Sequence, residues 1–190
     1  MAYRVGVFIG SLSKTSINRR LAKALIRLAG DGLALAEIPI AGLPLYNHDF
    51  DADYPPEGRE FKRAVEEVDA LIFVTPEYNR SIPGALKNAI DWGSRPYGTN
   101  SFAHKPSGVI GTSPGAIGTA VAQQHLRSIL SFVNSPELAQ PEAYIQFREG
   151  LITDDGEVTD PGTAEFLRNW LRAFEVFTCK VTSVNRPPTT

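Results

Sequence analysis

Two short apolar runs constrain this chain most. Val5-Gly6-Val7-Phe8-Ile9 and Ala70-Leu71-Ile72-Phe73-Val74 carry no polar alternation, so each reads as a strand buried on both faces of a sheet. Each run empties into a polar loop and then into a helical pattern. After Gly10, the residues Ile17, Leu21, Ala24, Leu25 and Leu28 recur at helical spacing, and Gly30 or Gly32 supplies a stop. After Val74 comes Thr75-Pro76-Glu77-Tyr78-Asn79-Arg80-Ser81-Ile82-Pro83-Gly84, a polar loop stiffened at both ends by proline, which opens a helix over 83–92. A strand that empties into such a loop and then a helix is where α/β sheets place ligand contacts.

The rest of the chain repeats the alternation. Residues 33–38 read as a second strand, and 39–56, rich in Pro, Gly, Asp and Tyr, as a long loop. Phe61, Ala64, Val65 and Val68 mark a helix, 94–105 a loop, 107–111 a strand and 117–133 a helix. A fifth strand is expected between Asn134 and Ile145. Leu167, Trp170, Leu171, Phe174 and Phe177 stripe a last helix as core residues. Strands alternating with helices predict an α/β fold: a flavodoxin-like five-stranded parallel sheet in the order 2-1-3-4-5, with helices on both faces. One domain over 1–184 follows, with a tail at 185–190 expected to fray.

Composition narrows the partners. The chain has 190 residues, 43% hydrophobic, and a net charge of -2. That length suits one sizeable core, and the balanced charge argues against nucleic acid or a membrane held by bulk electrostatics. A single cysteine, Cys179, excludes an intrachain disulfide, suits a reducing compartment and reads as a packing thiol. No apolar run approaches membrane-spanning length and no signal peptide is visible, so a cytoplasmic protein is expected. His48, His104 and His125 stand apart from one another and from carboxylates at metal-ligand spacing, so neither a metal site nor an acid–base triad is expected.

In that sheet order, the loops after the first, third and fourth strands share the carboxyl edge. The first, Gly10-Ser11-Leu12-Ser13-Lys14-Thr15-Ser16-Ile17-Asn18, places four hydroxyls in six positions at a helix N-terminus. Free N–H groups and the helix dipole favour an anion there. Ser16 suits an N-cap, but one cap does not account for four hydroxyls, and phosphate binding is the reading adopted. The loop is neither a Walker A loop nor a dinucleotide glycine fingerprint. The third loop, Gly111-Thr112-Ser113-Pro114-Gly115-Ala116-Ile117-Gly118, lets backbone N–H groups approach a flat ligand. A phosphate cradle beside two ring-lining loops suggests a mononucleotide cofactor such as FMN.

These residues resemble those of the NADPH-dependent FMN reductases, the group that includes bacterial chromate and quinone reductases and small azoreductases. The matching pieces are the first loop, the run from Pro76-Glu77-Tyr78-Asn79 through Leu86-Lys87-Asn88-Ala89-Ile90-Asp91-Trp92 to Ser94-Arg95-Pro96, and Ser113-Pro114-Gly115-Ala116-Ile117-Gly118 with His125-Leu126-Arg127. The resemblance implies a flavodoxin-like fold, bound FMN, and hydride transfer from NADPH or NADH. It also implies phosphate contacts from Ser11, Ser13, Ser16 and Asn18, a ring bordered by Pro76, Glu77, Tyr78 and Asn79, and Ser113 and Gly115 closing the other side. Relatives often carry arginine where this chain has Ser13 and glycine where it has Thr15. Either Lys14 or Arg20 compensates for that missing donor, or FMN is held less tightly.

The expected activity is therefore ping-pong hydride transfer from a nicotinamide to FMN, and onward to a quinone, azo compound, metal oxyanion or free flavin. The alternative is a flavodoxin-type electron carrier without its own nicotinamide site. Leu43, Leu45, Tyr46, Phe50, Tyr54, Tyr97 and Phe102 give the two long loops more apolar surface than a solvated connector needs. They must fold back or cover a partner. The resemblance implies a homodimer, with a homotetramer as the larger form. Val121 and Gln124 replace the arginine and tyrosine that join subunits in some relatives.

Overall fold

The computed structural model describes residues 2–185. Five strands form one sheet: β1 (Tyr3–Ile9), β2 (Leu33–Glu37), β3 (Ala70–Val74), β4 (Ser107–Ser113) and β5 (Tyr144–Gln146). Their order is β2-β1-β3-β4-β5, and the pairings are parallel. The helices are α1 (Ile17–Leu28), α2 (Pro56–Glu66), α3 (Gly84–Ser94), α4 (Ala120–Phe132) and α5 (Pro161–Asn185). The fold is the flavodoxin-like arrangement expected.

The two-residue period of the strands divides the core. Val5, Val7, Ile9, Ile72 and Val74 point to the face covered by α1 and α5, where they meet Leu21, Leu25, Leu167 and Trp170. Phe8, Leu71, Phe73 and Val109 point to the opposite face, under α2, α3 and α4. There the rings of Phe8 and Phe73 stack 4.8 Å apart. All five residues of β3 are buried, because the strand lies mid-sheet between two helical layers.

Some boundaries move for local reasons. β4 runs two residues past Gly111, because β5 pairs with Gly111, Thr112 and Ser113. β5 begins at Tyr144, after Pro136 and Pro141, which cannot donate to a ladder. The helix expected from Ile117 starts at Ala120, since Gly118 takes a left-handed φ of 59°. Asn185 still closes α5, and the rest of the expected tail, 186–190, lies outside the described residues.

Three expectations about side chains are corrected or refined. Cys179 is exposed on α5, not packed, because the buried stripe there passes through Phe174 and Thr178 instead. Most loop aromatics fold back onto Trp92. Tyr46, Phe50 and Tyr54 pack around its ring at 4.9–5.4 Å, while Asn88 bonds Tyr46 N–H and the Pro44 carbonyl. Phe102 is fully buried, whereas Leu45 and Tyr97 remain exposed. Among the described residues, no helix is long and apolar enough to cross a membrane.

Candidate active site

The three loops do meet at the carboxyl edge of the sheet. In the first, Ser16 caps α1 and its Oγ accepts the Arg19 N–H at 3.3 Å. A hydroxyl that accepts this bond keeps its own proton to donate, so capping and anion binding are compatible at Ser16. Ser11 Oγ accepts the Ser13 N–H, and Ser13 Oγ accepts the Thr15 N–H, both at 3.3 Å. These steps fold the loop into a tight hydroxyl-lined turn with Ser11 and Ser16 buried at its base. Among the described residues, the N–H groups of Ile17 and Asn18 have no protein acceptor. Lys14 is exposed and makes no ion pair among those residues. Arg20, by contrast, is taken up: it pairs with Asp154 at 2.7 Å and lies 5.8 Å over the Phe147 ring. Lys14 is therefore the free cation of the two.

Asn18 has a different position from its hydroxyl neighbours. Its side chain is buried, its Nδ2 donates to the Thr112 carbonyl at 2.9 Å, and its Oδ1 accepts the Thr112 N–H at 3.0 Å. It ties the first loop to the end of β4 and keeps one amide N–H for other use.

The second loop is a two-residue hairpin. Tyr78 and Ser81 exchange backbone hydrogen bonds at 2.9 and 3.0 Å, and the central residues Asn79 and Arg80 have φ of 51° and 64°. Two successive positive φ angles define the primed turn that fits a twisted hairpin. Asn tolerates that conformation, whereas Arg is strained in it. Pro76 is buried at the base and Tyr78 is half exposed at the tip. The Glu77 carboxylate turns toward α4, where Oε2 accepts the N–H groups of Val121 and Ala122 at 3.1 Å each. Thr119, at the helix N-cap, offers no side-chain cap, so Glu77 supplies it from another loop. On the far leg, Ser81 Oγ lies 3.0 Å from His125 Nδ1.

In the third loop, Ser113 Oγ donates to the Gly118 carbonyl at 2.5 Å. Residues 114–117 are exposed, so Gly115 presents bare backbone. Gly111 is demanded by close packing: a Cβ there would lie 2.2 Å from both Thr119 Oγ1 and the Thr75 carbonyl oxygen.

Three links in this site had no local signal in the sequence: Asn18 to Thr112, Glu77 to α4, and Ser81 to His125. Each joins residues far apart in the chain through a contact that only the folded sheet creates. Among the described residues, no cluster of His, Cys, Asp or Glu could hold a metal ion. The free N–H groups and hydroxyls of the first loop, beside two loops with open backbone, fit a phosphate-bearing flat cofactor.

Fold and site together define a flavin-dependent oxidoreductase of the flavodoxin-like class. The family model for NADPH-dependent FMN reductases matches residues 3–149. The chain is 44% identical over 171 residues to a 2-hydroxy-1,4-benzoquinone reductase from Burkholderia sp, spanning 90% of this chain and 93% of that one. It is 47% identical over 173 residues to a quinone reductase from Pseudomonas putida, spanning 90% and 92%. Among solved structures, the flavoenzyme NAD(P)H:(acceptor) oxidoreductase FerB from Paracoccus denitrificans superposes with a TM-score of 0.90 at 46% identity, covering 94% of this chain and 98% of that one. The chain belongs to the NADPH-dependent FMN reductase family. It is an NAD(P)H-dependent oxidoreductase with FMN as cofactor, and the electron-carrier alternative is not favoured.

Proposed function

We propose that this protein is a quinone reductase, drawing hydride from NADPH or NADH and delivering electrons to a quinone in the cytoplasm. The relatives named for quinone reduction, at 44% and 47% identity, support that acceptor class over azo compounds, metal oxyanions or free flavin. When bound, FMN supplies the redox chemistry, and the protein binds, orients and shields it. Ser11, Ser13 and Ser16 donate to the phosphate along with the free N–H groups of Ile17 and Asn18, and Lys14 balances its charge. Pro76, Tyr78, Asn79 and the Glu77 backbone border the ring on one side, with Ser113 and Gly115 on the other. Asn18 contributes chiefly by holding the first and third loops together.

The observation that carries this reading is the pair of unpartnered N–H groups at the start of α1, with hydroxyls beside them that accept loop N–H bonds and keep protons to donate, set beside two open-backbone loops. Its test is oxidation of NADPH by the purified protein alone, with benzoquinone as acceptor. We expect parallel double-reciprocal lines, because nicotinamide and quinone take turns at one exposed face. Converging lines would contradict a shared face, and absence of turnover would leave only a carrier.

The working form is a homodimer in this reading. Phe132 is 82% exposed on α4 and Tyr97 is 87% exposed in the loop after α3. Between α3 and α4 runs a groove floored by Ile90, Ile129 and Val133. Apolar surface of this kind suits a second copy. Light scattering should give twice the chain mass or four times it, and a fully active monomer would exclude the pairing.

A further inference from the structure

We infer that His125 is a positioning residue for the flavin-bordering hairpin, acting through Ser81. The inference rests on the reading of that hairpin as one wall of the flavin site. The hairpin is short and carries two residues with positive φ, one of them an arginine. Such a turn keeps its shape only where its surroundings over-determine it. Its two backbone bonds, between Tyr78 and Ser81, close the turn but do not orient it against the sheet.

Orientation comes from α4, and it comes at two points. Before the turn, Glu77 is clamped by the N–H groups of Val121 and Ala122. After it, Ser81 is held by the His125 ring at 3.0 Å. Val121 and His125 are four residues apart on one helix, so the backbone anchor and the side-chain anchor lie about one helical turn apart along α4. Pro76 and Ile82 bury the ends of the two legs, Glu77 ties the near leg to α4, and the His125 bond adds a second tie on the far leg, next to the turn. Tyr78, Asn79 and Arg80 lie between the anchors, so their placement depends on both.

His125 is the cleaner handle for a test, because Glu77 belongs to the bordering loop itself whereas His125 stands on α4 behind it. The experiment titrates FMN into the apoprotein of His125→Ala, His125→Asn, Ser81→Ala and the Ser81→Ala/His125→Ala pair, followed by flavin fluorescence and by the visible circular dichroism of the bound ring. Each alanine variant should weaken FMN binding roughly three- to ten-fold, as expected for loss of one modest hydrogen bond, and should change the flavin dichroism. The double variant should be no weaker than either single one, since both remove the same link. Asparagine, whose amide reaches where Nδ1 lies, should restore both signals. Wild-type affinity and dichroism in His125→Ala, or additive losses in the double variant, would overturn the inference. Failure of the unaltered protein to bind FMN would instead overturn the flavin reading, and this inference with it.

Discussion

Asn18 and Thr112, 94 residues apart in sequence, pair through both ends of a single amide. The side chain of Asn18 does for Thr112 what a neighbouring strand would do, satisfying its N–H and its C=O together. That pairing brings the start of α1 beside the end of β4, and so sets the phosphate-type loop against the glycine-rich loop.

Replacement of Asn18 should therefore cost both stability and cofactor affinity. In Asn18→Leu the two Thr112 backbone groups are left buried without partners, at about 1–3 kcal/mol each. For a chain of this size each kcal/mol lowers Tm by roughly 2–4 °C. Thermal unfolding of the apoprotein, where no cofactor contributes, checks the stability part. FMN affinity should fall as well, because the loops lose their register.

Ser16 should separate two roles by ligand. Ser16→Ala removes a helix cap, at about 1 kcal/mol, and a donor to the phosphate. The cap loss affects FMN and riboflavin binding alike, whereas the donor loss affects FMN alone. The unaltered protein should prefer FMN to riboflavin, and the variant should narrow that preference. An unchanged ratio would place the phosphate elsewhere.

Gly111→Ala should be among the most damaging single changes. The added methyl meets Thr119 Oγ1 and the Thr75 carbonyl at 2.2 Å, and one of these is backbone at the centre of the sheet edge. Overpacking of this kind costs about 1–3 kcal/mol or more. We expect poor folding yield or a markedly lower urea midpoint, with the loops after β3 and β4 forced apart.

The acid limb of stability should carry a contribution from Asp69. Burial pushes its pKa up, but hydrogen bonds from the Arg4 N–H at 2.8 Å and the Arg4 guanidinium outweigh it and leave the pKa below the ordinary 3.8. A carboxyl with a depressed folded pKa stabilises the fold above its unfolded pKa, and that contribution is lost as pH falls through the folded value. Asp69→Asn should be less stable than the unaltered chain near neutral pH, and the gap should shrink as the pH is taken below the ordinary carboxylate range. Urea unfolding at neutral and at strongly acid pH checks the sign.

Much of this molecule can be read along the chain because its signals are local. The unbroken apolar runs of β1 and β3 are visible in five consecutive residues each, and the stripe of Leu21, Ala24 and Leu25 marks the buried face of α1. Alternation of such segments leaves few sheet orders open. The loops at the carboxyl edge were legible too, since hydroxyls, prolines and glycines punctuate them. Cys179 and Arg20 show where that reading ends. Whether a helical side chain packs or is exposed, and whether a cation is free or paired with Asp154, depends on elements far away in sequence.

Sequence alone determined the fold class, the positions of the three loops and the kind of cofactor they suit, because periodicity and turn chemistry act between near neighbours. Only the tertiary structure decided what each side chain does there. It turned Glu77 onto α4, gave Ser81 to His125 and joined Asn18 to Thr112. Those bonds form only after packing has brought side chains and backbone groups from distant parts of the chain within 3.1 Å of one another, and buried polar groups must find partners wherever the fold leaves them.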